Sequence, residues 1–456
     1  MSDVWTIGVD VGPTNTDGAL LVGAAPMATV KVPSAGDPVH NVRTAVAALL
    51  RDAPRAPGAS GARGAPPVAH VAVGLRSAAH AVTLRAGLTR VGVLRIGGPV
   101  SDAVPPLAGW PADLSAAVHA GSAMVDGGAG LTPADATALD RDAVARFAAG
   151  LAGRCDAFAV TGVFSPIDDS QEHEAAEIIR REAGADTFVG LSAGSGGLGL
   201  IERENSTVLD AALSRHTAVL ADALIVSLDA LGLASATILV ARGDGTLTSL
   251  EYLRLHPGLA LGSGPAGTLR GAGLLTGLTD AVVADVGARR IRVGLLAGGF
   301  PQESRPGLVI GGVPVSFPMP DLIRVPADDP DAFEEAVDRM QPGAARLPLV
   351  LVGGGSAASA AGRAPAADVV LPEHGLVAGA FGAALSPVGG SHEQLVRTGE
   401  ADAVDEVREG ARRSAVRAGA DPRRVVVLPV ERVPVPYLPG VACSLRARAV
   451  GPPAPL

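Results

Sequence analysis

Lysine is almost missing from this chain. Of 37 Lys+Arg residues in 456, a single one, Lys31, is lysine. A Walker-A phosphate loop needs a lysine after its glycines, and pyridoxal chemistry needs a Schiff-base amine. Lys31 stands in neither context, so both classes drop out. Cysteine is scarce too: Cys155 and Cys443 lie far apart and in no CxxC pair. That argues against a zinc cluster or a disulfide scaffold and fits a reducing cytoplasm. Positive charge is in deficit, with 46 Asp+Glu and a net charge of −9. Such a chain is a poor nucleic-acid binder, because phosphate neutralisation needs clustered cations. The start, MSDVWTIGVDVG, has no basic segment leading into an apolar one, so no signal peptide is read. The longest apolar stretch, 223–241, contains Asp229 and Gly232 and changes pattern midway. It reads as a helix followed by a strand rather than a membrane span.

What is present is enough for a large core: 48% of residues are hydrophobic and only 18% are charged. The length predicts two to four domains at roughly 100–200 residues each. Residues 6–11 (TIGVDV) and 17–22 (DGALLV) have buried-strand patterns, and the polar GPTNT between them predicts a β-hairpin. Further strands are expected at 68–73, 90–96, 157–163 and 236–241, with helices at 140–152, 171–183 and 206–231. Residues 52–67, rich in Ala, Pro, Gly and Arg, read as an exposed loop. Strands and helices alternating on this scale indicate an α/β protein.

One internal repeat carries chemistry. Residues 10–21 read DVGPTNTDGALL and residues 285–296 read DVGARRIRVGLL, each after an apolar run. The match points to two related units, each opening with a strand–DxG–turn–strand hairpin. Facing hairpins of this kind can grip a phosphate chain with backbone N–H groups, while their carboxylates hold a hydrated magnesium ion. A third element, residues 347–352 (LPLVLV) followed by GGGSAASAA, places glycines where a backbone can approach a ligand closely. The three elements in this order favour nucleotide binding.

The order resembles the actin/sugar-kinase/Hsp70-like ATPase superfamily and, more specifically, the hydantoinase A / oxoprolinase family. The resemblance rests on DVGPTNTD at 10–17, FAVTGVFSP at 158–166, LGLIERENSTVLDAAL at 198–213, DGTLTSLEY at 244–252, GSGPAGTLRG at 262–271 and the C-terminal RAGADPRRVVVLPVERVPVPYLPG. It implies an α/β fold of two actin-like (ribonuclease H-like) domains with a cleft between them. The expected boundaries are 1–200, 201–400 with the second hairpin and the GGGS turn, and 401–456 as a helix-and-strand extension packing on the core. The implied activity is ATP-dependent activation and hydrolysis of a cyclic amide or related carbonyl. Phosphorylating a lactam oxygen turns a resonance-protected amide into something water can open, and that transfer needs Mg²⁺ and fixed donors. The resemblance assigns Asp10 to the magnesium water shell, with Asp17 and Asp285 as the other catalytic acids. It places Gly12, Thr14, Asn15, Thr16 and Gly287 around the phosphates. Gly353, Gly354, Gly355 and Ser356 would approach the adenosine. It also implies a small-molecule substrate, a hydantoinase B type partner subunit and an oligomer.

Several positions depart from the family pattern. The second hairpin, where DxGGTTTD is usual, carries Ala288, Arg289, Arg290, Ile291 and Arg292. Arg289 and Arg290 have three readings: a bidentate phosphate clamp, a plug in the γ-phosphate space, or a solvated pair. In the first hairpin Pro13 replaces a glycine and removes one N–H donor. Paired threonines that usually follow a glycine are replaced after Gly74 by Leu75 and Arg76. Glu202, Arg203, Glu204 and Asn205 either line the substrate cleft or form a helix entry with Asn205 as its N-cap. These departures keep open a second reading, a degenerate member serving as a structural or regulatory subunit without ATP turnover.

Overall fold

A computed structural model describes residues 4–53, 67–99, 101–130, 133–194, 197–304, 307–356, 368–397, 402–435 and 441–455. The fold is mixed α/β. The loop expected at 52–67 falls almost wholly outside the described residues, as does the continuation of the GGGS turn at 357–367. Strand β1 (Trp5–Val11) is buried along its whole length. It pairs antiparallel with β2 (Asn15–Val22), which pairs antiparallel with β3 (Ala25–Pro33). On its other side β1 runs parallel to β4 (Val68–Gly74). These four strands form one end of a ten-stranded sheet that continues through Thr237–Ala241 and Leu247–Ser249 to Val388–Arg397 and Val441–Gly451.

A second sheet repeats the pattern. Ala281–Val286 pairs antiparallel with Arg290–Ala297 and parallel with Leu349–Val352. The two hairpins share their register: Asp10 lies opposite Asp17, and Asp285 lies opposite Arg292. Their turns close alike, with the Gly12 N–H donating to Asn15 O at 3.0 Å and the Gly287 N–H donating to Arg290 O at 3.0 Å. A third sheet of four parallel strands has Val91–Gly98 and Ala157–Gly162 at its centre.

Helices Ser263–Thr276 and Ala378–Leu385 pack against each other between the first two sheets, and glycines set how closely. A Cβ on Gly271 would overlap the carbonyl oxygen of Ala378, and one on Gly382 would overlap that of Gly267. A Cβ on Gly8 of β1 would likewise overlap the carbonyl oxygen of Ala380. Interiors are close-packed, and backbone cannot give way as a flexible side chain can.

Helix Leu200–Asp229 begins six residues before the start expected at 206, with Gly199 rather than Asn205 at its N-cap. The propensity signal at Asn205 is overridden because the helix's first turns are sealed by contacts from other elements. By length and composition this helix could cross a membrane. Yet Arg203, Glu204 and Asp210 are buried on it and bonded to the rest of the fold. Asp210 accepts the Gly258 N–H at 2.5 Å, and burial pushes its carboxyl up to about 7.

Two outcomes are expected. Gly271→Ala should cost about 3 kcal/mol or more, the upper range of overpacking, read as a lower denaturation midpoint in chemical unfolding. Asp210 has a folded-state pKa raised above the roughly 3.9 of an unfolded chain. Its contribution is therefore complete below about pH 4 and lost as pH rises through about 7. Thermal melts should show Asp210→Asn gaining on wild type between pH 5 and pH 8; a pH-independent difference would contradict this.

Candidate functional site

Asp10 is the penultimate residue of the fully buried β1 and is itself only 8% exposed. It faces glycine on both sides. A Cβ on Gly74, its register partner in β4, would stand 2.9 Å from Asp10 Oδ1, and a Cβ on Gly379 would overlap Oδ2. Oδ1 is buried and has no hydrogen-bond partner. Burial pushes the Asp10 carboxyl up to about 6; Arg76 draws it down, Asp17 and Asp285 push it up, and Arg292 draws it down. The two other acids assigned to catalysis are thus electrostatic neighbours of Asp10, but each already has a cation. Lys31 Nζ reaches Asp17 Oδ1 at 2.7 Å, and Arg292 reaches Asp285 Oδ2 at 2.7 Å. Burial raises the Asp17 carboxyl against the pull of Lys31.

The first turn is only partly open. Thr14 is exposed and Asn15 half-buried, but Thr16 is fully buried, with its hydroxyl 2.8 Å from Ser34 Oγ. Ser34 Oγ also donates to Gly12 O at 2.9 Å. Pro13 stands exposed at the tip. In the second turn Arg289 and Arg290 are exposed and make no ion pair with Asp10 or Asp17. Neither is among the charges that act on Asp10 or Asp17. The arginine that turns inward is Arg292.

Gly353 has φ +88°, and a Cβ there would lie 2.8 Å from Asp285 Oδ1. This mirrors the relation of Gly74 to Asp10. The Gly355 N–H donates to Val286 O at 3.0 Å, while Gly354 borders open space. Ser356 is buried and lines a cavity of about 470 Å³ together with Lys31, Leu351, His374 and Leu376. Lys31 Nζ also donates to Leu376 O at 3.1 Å.

The EREN segment lies elsewhere and its bonds are spoken for. Glu204 pairs with Arg95 in two bonds of 2.7 Å, with both side chains at most 1% exposed. Arg203 donates to Ser192 Oγ at 2.9 Å and to Gly162 O at 2.7 Å. Asn205 accepts from Trp110 Nε1 at 2.7 Å and donates to Pro314 O at 2.9 Å, so it is not the helix cap. Glu202 alone of the four is neither fully buried nor bonded in this way.

Sequence reasoning named Lys31 and Arg292 but did not pair them with Asp17 and Asp285. Hairpin register would have found Arg292: counting the repeat residue by residue sets it opposite Asp285, as Asp17 is set opposite Asp10. Among the described residues no group of three or more His, Cys, Asp or Glu could hold a metal ion. Asp10 fits a different arrangement, a single free carboxylate for a hydrated Mg²⁺ that takes its other oxygens from water and phosphate.

Residues 6–183 match the hydantoinase/oxoprolinase N-terminal region, and residues 203–327 match hydantoinase/oxoprolinase itself. The chain belongs to this family. Its structure is similar to that of an ATP-dependent caprolactamase from Pseudomonas jessenii (TM-score 0.73, 15% identity), covering 99% of this chain and 88% of that one. It is also similar to a nucleotide-free acetone carboxylase (TM-score 0.65, 14% identity), again over 99% of this chain and 88% of the other. At these identities the likeness is one of fold. No curated protein matches the sequence.

For the EREN segment the expected outcome is structural. Glu204→Gln leaves Arg95 as a buried charge without its counter-ion, which costs about 3–5 kcal/mol. A melting temperature unchanged from wild type would restore the substrate-lining reading.

Proposed function

We propose that this hydantoinase/oxoprolinase family member uses ATP and Mg²⁺ to activate the carbonyl oxygen of a small molecule, a cyclic amide or a related carbonyl, for hydrolysis. The observation that carries this reading is the Asp10 carboxylate: buried, unpartnered, flanked by two glycines, at the head of the better-preserved of two matching hairpins. An unsatisfied buried carboxylate is costly unless a ligand completes it. A divalent ion would supply charge neutralisation of phosphate oxygens at that point. Asp10 would hold the ion's water shell, and the exposed Thr14–Asn15 turn would face the phosphates. Ser356 and the cavity beside it would take the adenosine. Support also comes from the two similar structures, an ATP-dependent caprolactamase and an ATP-dependent acetone carboxylase. The repeated hairpins support two actin-like domains facing across a cleft. A hydantoinase B type subunit would complete the enzyme, in an oligomer within the cytoplasm.

One observation favours a second reading. Arg292 holds Asp285, and the second turn offers arginines where hydroxyls are usual. A chain so altered could bind nucleotide without turning it over and act as a structural or regulatory subunit. Calorimetry separates the cases when combined with phosphate release. Wild type should bind ATP with Mg²⁺, and Asp10→Asn should weaken that binding at least tenfold, about 1.4 kcal/mol. Absence of binding at millimolar nucleotide would eliminate the enzymatic reading for this chain. Binding without phosphate release would leave the second.

A further inference from the structure

The departure at Gly74-Leu75-Arg76 brings a charge next to Asp10. Gly74 is the register partner of Asp10, so Arg76 leaves the sheet two residues beyond it. Its guanidinium lies against the first turn of helix Ser263–Thr276. A Cβ on Gly264 would stand 2.9 Å from Arg76 Nε and 3.1 Å from Cζ and Nη2. Glycine at 264 therefore leaves the room the guanidinium occupies. That turn is anchored to the same loop, since Ser263 Oγ donates to Leu75 O at 2.8 Å. The first N–H groups of a helix have no intrahelical acceptor and carry partial positive charge, which suits an anion.

Two orphaned atoms belong to Arg76 and Asp10. Arg76 Nε is buried without a hydrogen-bond partner, and so is Oδ1 of Asp10. Among the charges acting on Asp10, Arg76 exerts the largest pull, yet no salt bridge joins them among the described residues. A buried donor and a buried acceptor left unpaired on two interacting charged groups each call for a partner, and one ligand bearing both charges would supply it. The complement of a carboxylate beside a guanidinium is a cation carrying an anion. A metal–phosphate pair has that form. The other arginine turned inward here, Arg292, is held by Asp285.

We propose that Arg76 clamps the terminal phosphoryl group of the nucleotide against the first turn of helix Ser263–Thr276, making it a specificity-determining residue for a nucleoside triphosphate over a diphosphate. The inference rests on the nucleotide reading of the Asp10 site. A guanidinium presents paired donors to phosphate oxygens, so it replaces the lost threonine hydroxyls with a charged fork. It also gives the site a cation that no carboxylate pairs among the described residues.

The test is calorimetry of the full chain with ATP and with ADP, each with Mg²⁺, on wild type, Arg76→Gln and Arg76→Lys. In wild type ATP should bind more tightly than ADP. Arg76→Gln should lose about tenfold or more of its ATP affinity and little of its ADP affinity, collapsing the ratio. Arg76→Lys keeps the charge without the fork and should fall between; should the glutamine variant prove unfolded by melting, the lysine variant carries the comparison. A ratio unchanged from wild type in a folded variant that binds both nucleotides would overturn the role of Arg76 and leave the nucleotide reading intact. Failure of wild type to bind either nucleotide would overturn that reading and this inference with it.

Discussion

Two helices in backbone contact hold the centre of this molecule. Ser263–Thr276 and Ala378–Leu385 touch through Gly267, Gly271 and Gly382, and the second of them lies on Gly8 of β1. No side chain separates these surfaces, so β1 has little freedom to shift. The carboxylate at its end inherits that fixity. Gly379, on the same helix, covers Asp10 Oδ2, and Ser263, at the head of the other, ties down the Leu75–Arg76 loop. Packing and chemistry thus meet in the same few glycines. A methyl group at Gly8, Gly271, Gly379 or Gly382 would displace both.

Around that centre the charges are arranged unevenly. Asp10, Asp17 and Asp285 act on one another, but two of the three are neutralised locally, by Lys31 and Arg292. One acid is left to receive something from outside. The second hairpin copies the first in strand order, register and turn closure, and differs at the position opposite its aspartate. An arginine there converts a site that would attract a cation into one that has supplied its own. The asymmetry rests on side chains, because the backbones of the two hairpins follow the same plan.

Much of this was legible in the chain. The hairpin at 6–22, its repeat at 285–296 and the strand before GGGS came from short-range patterns, because alternation and turn chemistry act over a few residues. Helices at 140–152 and 171–183 appeared as Arg141–Leu151 and Ser170–Ala183 for the same reason. The EREN segment shows where such reading stops. Four polar residues in a row look like a binding surface, and only the fold reveals that Arg95, Trp110, Ser192 and Pro314 come from distant parts of the chain to satisfy three of them. Asn205 looked like a cap because local propensity favours it; tertiary contacts carried the helix six residues further back. The pairing of Lys31 with Asp17 was hidden differently, since composition counts a residue without saying what it faces.

Lys31, on β3, ties Asp17 of β2 to Leu376 O in the segment leading into helix Ala378–Leu385. It is also the sole side-chain primary amine in the sequence. Acylation there would discharge one carboxylate's counter-ion and break the bridge in a single covalent event. Apart from the α-amine, an amine-directed label would therefore report from the wall of the cavity beside Ser356 without the usual scatter over a lysine-rich surface. The scarcity that excluded two enzyme classes thus leaves the molecule a single side-chain amine, at the edge of its candidate site.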